Sequence, residues 1–243
     1  MRYLIISDIH ANYAALEAVL ADARPFDKIW CLGDLVGYGP QPNECIARLR
    51  KFPLTCLVGN HDWAAIGKLD LRYFNNEART ACVWTRNALM PENRAYLESL
   101  PAICVESGYT LAHGSPSHPI EEYILDSTSA EHNFAAFDTR VCLVGHTHWP
   151  TAFWQADDNE HFCFPRPPLW RQPITLNTGR WIINPGSVGQ PRDGNPRACY
   201  ALLNIETNVW EYRRVAYAVE ETQLRMREHG LSKRLIDRLA SGH

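Results

Sequence analysis

Asp8, His10, Asp34, Asn60, His61, His113, His146 and His148 carry the chemistry legible in this sequence. Each lies just past a strand-like apolar run, and most stand beside a glycine, which lets backbone and ligand approach closely. Asp8 with His10, and His146 with His148, are i, i+2 pairs, and an extended backbone sends such pairs to one side. Carboxylate and amide oxygens mixed with imidazole nitrogens are metal ligands. There are too many of them for one ion, whereas two cations sharing a carboxylate clamp a phosphate and activate a water between them. Alone, each piece has an ordinary explanation: Asp8 and His10 as a helix cap and a buried hydrogen-bonded histidine, Gly59-Asn60-His61-Asp62 as a tight turn. Their recurrence at successive strand ends is the argument for a site.

The elements that position them alternate in type. Residues 2–6 read as a buried strand. Asn12 is a good N-cap for a helix that ends before Pro25. A strand at about 28–32 ends in Gly33-Asp34, and Pro42 opens a second helix through about Lys51. A third strand, 54–58, ends in Gly59-Asn60-His61-Asp62. Three strand ends thus deliver polar residues to one sheet edge, where ligands bind in open α/β sheets. Residues 63–100 interrupt this order with helices expected over 75–89 and 91–99, read as a helical cap insertion. Its aromatics Trp63, Tyr73, Phe74 and Trp84 either line a pocket or pack a core, and helical spacing favours the core.

A strand at 109–112 ends in His113-Gly114, a helix follows at 130–137, and a strand at 141–144 ends in Gly145-His146-Thr147-His148. The runs 151–155, 161–164, 174–176, 181–183, 199–205 and 209–215 have no helices between them, which predicts antiparallel pairing. Pro165-Arg166-Pro167-Pro168 reads as a loop. The C-terminal stretch 219–243 is helical over 220–240 with a break at Gly230. The expectation is a single α/β domain over 1–243.

Composition bounds the function. The chain has 243 residues, 46% of them hydrophobic, enough for a sizeable core. A net charge of -3 and a pI near 6.4 give no strong nucleic-acid footprint and no basic face for a membrane. With no signal-peptide pattern and no apolar run of about 18 residues, the expected location is cytoplasmic. The cysteines, 31, 45, 56, 82, 104, 142, 163 and 199, are scattered without a CxxC pair. They read as small buried hydrophobes, so the metal ligands are nitrogen and oxygen. His118, His132, His161, His229 and His243 read as surface residues.

The segments DIH, GD, GNHD, HG and GHTH, in this order, resemble the calcineurin-like metallophosphoesterases, whose signature is DxH, GDxxD, GNH followed by an acid, an isolated His, and GHxH. The resemblance spans residues 2 to about 193, and 184–193 is similar to the bacterial phosphodiesterase-type branch. It implies a four-layer α-β-β-α sandwich of two mixed sheets flanked by helices, with a small helical cap. It also implies two divalent or mixed-valence transition-metal ions, for which manganese, iron, zinc, nickel and cobalt all suit the ligands. Asp8, His10 and His148 would hold one ion, Asn60, His113 and His146 the other, and Asp34 would bridge them. His61 would be no ligand but would stand by the phosphate, protonating the leaving oxygen or stabilising its charge while the bridging hydroxide attacks phosphorus in line. Asn60 also falls beside the substrate. Arg192 either grips a substrate phosphate with its bidentate guanidinium or pairs with a nearby acid.

One position departs from the pattern: Gly37 stands where GDxxD has its second acid. In phosphoprotein phosphatase relatives that acid orients the catalytic histidine, and Asp62 is the candidate to replace it. The Asp-Arg-Gly extension of those relatives is replaced by Gly37-Tyr38-Gly39, which points to a smaller substrate. The expected function is dinuclear hydrolysis of a small phosphodiester or nucleotide, in a protein with no membrane partner and compatible with a homo-oligomer. Alternatives are a phosphomonoesterase, a phosphoprotein phosphatase, or a non-catalytic metal-binding interaction scaffold.

Overall fold

Four of the five residues of β1 (Arg2–Ile6) are buried because this strand runs between two layers of apolar side chains. In the computed structural model, which describes residues 1–158 and 161–243, β1 pairs in parallel with β2 (Lys28–Cys31), and β2 with β3 (Leu54–Cys56). On its other side β1 pairs antiparallel with β11 (Ala198–Asn204), followed by β12 (Val209–Val215) and β9 (Ile174–Thr175). A second six-stranded sheet runs β4 (Ile103–Glu106), β5 (Tyr109–Ala112), β6 (Val141–Leu143), β10 (Arg180–Asn184), β7 (Thr151–Gln155) and β8 (Phe164–Arg166), with β5, β6 and β10 parallel.

The two-residue period of the strands sorts the core. Tyr3, Ile5, Trp30 and Leu32 face the second sheet and meet Tyr109, Leu111, Val141 and Ile183. Leu4, Ile6, Ile29 and Cys31 face the other way, onto α1 (Tyr13–Asp22), α2 (Pro42–Leu49), α3 (Asn60–Ile66) and Leu97 of α5 (Pro91–Ser99). Beyond the second sheet, α6 (Ser127–Phe134) buries Ala130 and Phe134 against Cys142, Phe153 and Ile182. This is the four-layer α-β-β-α order with two mixed sheets. Each fully buried apolar side chain contributes about 1.5–3 kcal/mol. The cysteines belong to these layers: all are free, and only Cys104 is not fully buried.

Residues 63–100 pack on the helical layer and also reach a cleft, which Tyr73 and Phe74 line. α5 joins the outer helical layer, and α4 (Asn76–Ala88) lies against α2 and α3. The C-terminal helices α7 (Val219–Glu228) and α8 (Lys233–Ser241), broken at Gly230 as expected, pack on α4 and enclose Tyr38. No helix among the described residues is long and apolar enough to cross a membrane.

Four elements differ from the sequence expectation. The third strand end is itself a helix start: α3 begins at Asn60, with Gly59 as its N-cap residue. α6 begins at Ser127 because Asp126 caps it by accepting from the Ser129 N–H, while Ser129 Oγ reaches back to the Asp126 N–H. β4 was not anticipated. It forms a hairpin with β5 across Ser107-Gly108, both at positive φ, the turn chemistry that favours tight hairpins. Finally, part of the Pro-rich stretch is strand: β8 takes in Pro165, opposite Phe153 on the sheet edge, where a residue without an N–H is tolerated.

Candidate metal and active site

The loops after β1, β2, β3, β5 and β6 bring the predicted residues to one place. The Asp8 and His10 N–H groups donate to the carbonyls of Gly33 and Asp34 at 3.0 Å each, which locks the β1 loop onto the β2 loop. The segment after β10 fastens the other side: Gly189 N–H donates to the Asp8 carbonyl at 2.9 Å, and Asn184 Nδ2 donates to the Gly145 carbonyl and to Thr147 Oγ1. Asn12 caps α1, accepting from the Ala15 N–H at 3.2 Å. Asp8, His10, Ala11, Asp34, Tyr38, His146 and His148 all have left-handed backbone, with φ between 49° and 66°. Such strain persists only where surrounding structure enforces it. Gly59 is required for a different reason, since a Cβ there would lie 2.0 Å from Asp34 Oδ1.

The ligand atoms of this cluster have the spacing that holds a cation. His10 Nε2 faces His148 Nε2 at 3.0 Å. The Nδ1 atoms lie against the carbonyls of Val36 and Gln190, at 3.1 and 2.6 Å. A carbonyl only accepts, so both Nδ1 atoms carry hydrogen, and in the neutral rings both Nε2 lone pairs point at each other. Asp8 Oδ1 lies 3.4 Å from His148 Nε2. Asp34 Oδ2 lies between the two halves, 3.6 Å from His10 Nε2 and 3.4 Å from His113 Nε2. Both carboxylate oxygens are buried without a hydrogen-bond partner, a costly arrangement unless positive charge is supplied. On the second side His113 Nε2 is 3.2 Å from Asn60 Oδ1. His146 Nε2 lies 3.2 Å from the Glu121 carbonyl, which leaves Nδ1 for an ion. Asp8, His10, Asp34 and His148 form one group with metal-binding spacing, and Asp34, His113 and His146 another.

Electrostatics agree with this reading. Burial pushes the Asp8 carboxyl up to about 6. Burial also opposes charge on Asp34, but His113 and His61 outweigh it and hold Asp34 well below the usual carboxylate range. Burial would lower His113, yet the Asp34 carboxylate raises it to about 9. Burial instead holds His10, His146 and His148 well below the usual imidazole range, so these rings are neutral, the form that ligates a metal.

His61 stands outside both groups, edge-on to His10 with ring centroids 4.9 Å apart. Burial drives it down to about 4, so its imidazole is neutral. Asp62 does not orient it: Asp62 accepts from the Val36 and Gly59 N–H groups at 3.0 Å each and ties the β2 and β3 loops together. The group against His61 Nδ1 is the thiol of Cys82, on α4. Gly37 makes that possible, since a Cβ there would lie 2.7 Å from His61 Nδ1. Arg192 has no carboxylate partner among the described residues, so the ion-pair alternative fails. It donates to Tyr38 Oη at 3.3 Å and to Gln190 Oε1 at 3.2 Å, and its Nε is buried without a partner. Tyr123 completes this edge, its ring tilted over His146 with centroids 3.8 Å apart. A cleft of about 190 Å³ opens over Asn60, His61 and His146.

The sequence did not single out Cys82, Tyr123 or Asn184. Of the aromatics in 63–100, Tyr73 and Phe74 line the cleft, whereas Trp63 and Trp84 pack against apolar cores. The five other histidines are exposed, as expected.

The model of the calcineurin-like phosphoesterase superfamily domain matches residues 1–208. The chain belongs to that superfamily. It is a phosphoesterase-type hydrolase fold of a family that works with divalent metals, and its Asp and His groups have metal-binding spacing. A metallophosphoesterase from Sphaerobacter thermophilus has 48% identity and a TM-score of 0.90, with 100% of this chain and 99% of that chain covered. An uncharacterised protein of Methanocaldococcus jannaschii is 37% identical, over 98% of this chain and 97% of its own length. A hypothetical protein from Pyrococcus horikoshii shares the fold, with a TM-score of 0.80 at 22% identity over 100% of this chain and 98% of its own.

Proposed function

We propose that this chain is a dinuclear metal-dependent phosphoesterase acting on a small phosphodiester or nucleotide. The observation that carries this reading is Asp34 Oδ2, buried and without a hydrogen-bond partner, 3.6 Å from His10 Nε2 and 3.4 Å from His113 Nε2. Asp8, His10 and His148 would hold one cation and Asn60, His113 and His146 the other, with Asp34 between the two groups. Divalent metals held there would supply positive charge to phosphoryl oxygens and an activated water nucleophile near neutral pH.

The chain's own residues do the rest. Arg192 donates to a phosphoryl oxygen through the guanidinium that no carboxylate neutralises. His61 donates a hydrogen bond from Nε2–H to the leaving oxygen and stabilises the charge that develops there, with Nδ1 held by Cys82. One guanidinium and a neutral imidazole suit the single charge of a diester better than the double charge of a monoester. The absent second acid at Gly37 also argues against a phosphoprotein substrate.

The test compares bis-p-nitrophenyl phosphate with p-nitrophenyl phosphate in the presence of manganese. The diester should be hydrolysed faster. A faster monoester reverses the substrate class, and activity on neither by protein that binds two metals removes the enzyme reading.

A further inference from the structure

The cleft has a polar floor and aromatic walls. Asn60, His61 and His146 line it together with Tyr73, Phe74 and Tyr123. These three rings differ in what the fold asks of them. Phe74 packs edge-on against His61 at 5.3 Å and joins the cluster of α4, α7 and α8, so folding explains it. Tyr123 lies against His146 with ring centroids 3.8 Å apart and planes 30° from parallel, yet 45% of the residue is exposed. Tyr73, in the 3-10 turn Leu71–Tyr73, is 84% exposed and belongs to none of the apolar clusters. Among the described residues its side chain has no ring or hydrogen-bond partner.

An aromatic ring left in water at the wall of a phosphate cleft, doing nothing for the core, is available for stacking. We propose that Tyr73 and Tyr123 read a planar ring on the substrate, a nucleobase or aryl group, while Arg192 and the metal ligands take its phosphate. The inference rests on the phosphoesterase reading for the phosphate, but its own content is the ring. Tyr123 is suited to such a molecule, with its ring against His146 beside the phosphate-binding end and part-exposed at the cleft. Tyr73, on a separate segment, supplies a second face. Stacking of this kind is worth roughly 5- to 150-fold in affinity per base, and substrates lacking a ring, such as sugar phosphates, forgo it.

The experiment is a calorimetric titration of the manganese-loaded full chain with adenosine 5′-monophosphate and with ribose 5-phosphate, which share phosphate and sugar and differ in the base. The nucleotide should bind at least about tenfold tighter, in keeping with one stacked base. Tyr73→Ala should erase most of that advantage, and Tyr73→Phe should keep it. Equal affinities in the wild type, or an equal loss for both ligands in Tyr73→Ala, overturn the proposal. The titration reads binding, so the two readings fail separately. A protein that hydrolyses bis-p-nitrophenyl phosphate but ignores the base refutes only the ring, and one that prefers the nucleotide yet hydrolyses no ester refutes only the phosphoesterase reading.

Discussion

The thiol sulfur of Cys82 and Nδ1 of His61 lie 3.4 Å apart in a buried contact between α4 and the start of α3. Burial pushes the Cys82 thiol well above its ordinary range, so it stays protonated. An S–H aimed at Nδ1 leaves the hydrogen of neutral His61 on Nε2. Cys82→Ala should lower kcat about threefold to tenfold, the size of one modest hydrogen bond. Cys82→Ser, which keeps a donor, should recover most of it. Metal analysis of both variants should still find two ions per chain, and a metal loss that parallels the activity loss would assign Cys82 to the core instead.

His61 itself makes a sharper split. His61→Ala should retain both metals and lose about 10²- to 10³-fold in turnover, the range for removing a donor aimed at developing charge. Steady-state rates read together with metal content check this. Loss of metal would make His61 a ligand.

Asp34→Asn should act on both halves at once. Wild type should lose thermal stability on chelation, because ions that bind only the folded chain stabilise it in proportion to the logarithm of their concentration over Kd. The variant should bind fewer than two ions and show little change in Tm with chelator. If it still holds two ions with wild-type stabilisation, the carboxylate is not shared.

Glu106 fixes the two sheets to each other far from the cleft. On β4 of one sheet, it accepts from Lys28 and Trp30 on β2 and from Thr55 on β3 of the other. Burial opposes its charge, but these donors outweigh burial and lower its pKa. With the folded pKa depressed, the stabilisation is present above the ordinary glutamate range and is lost as pH falls through the folded value. Glu106→Gln should therefore cost about 1 kcal/mol at pH 7 and progressively less below pH ~4.3. Urea midpoints at the two pH values measure the difference, and an equal cost at both assigns the effect to packing rather than charge.

The residues proposed as metal ligands were legible as a cluster because strand ends, glycines and short polar runs coincide in the chain, as at Gly59-Asn60-His61 and Gly145-His146-Thr147-His148. The layers followed from the alternation of strand and helix patterns, and Asn12 from cap chemistry. Cys82 and Tyr123 were not legible. Cys82 is an ordinary apolar position of a helix, and only the rotation of α4 against α3 turns its sulfur to His61. Tyr123 lies in an irregular segment, and its ring reaches the site only through its contact with His146, which the fold brings beside it. Asp62 misled because adjacency to His61 in sequence is not contact: α3 starts between the strand end and Asp62, and the turn sends its carboxylate to the backbone. β8 and β4 are edge strands, which need few apolar residues and tolerate proline, so their pattern is weak.

Of the ten non-glycine residues with left-handed backbone among those described, seven surround the acids and imidazoles: Asp8, His10, Ala11, Asp34, Tyr38, His146 and His148. Each conformation costs of order 1–3 kcal/mol. These turns are therefore not shapes the loops would choose alone; the hydrogen bonds from Asp8 and His10 to the β2 loop and from Gly189 to Asp8 hold them, so the convergence of acids and imidazoles is a product of the whole fold rather than of any one segment.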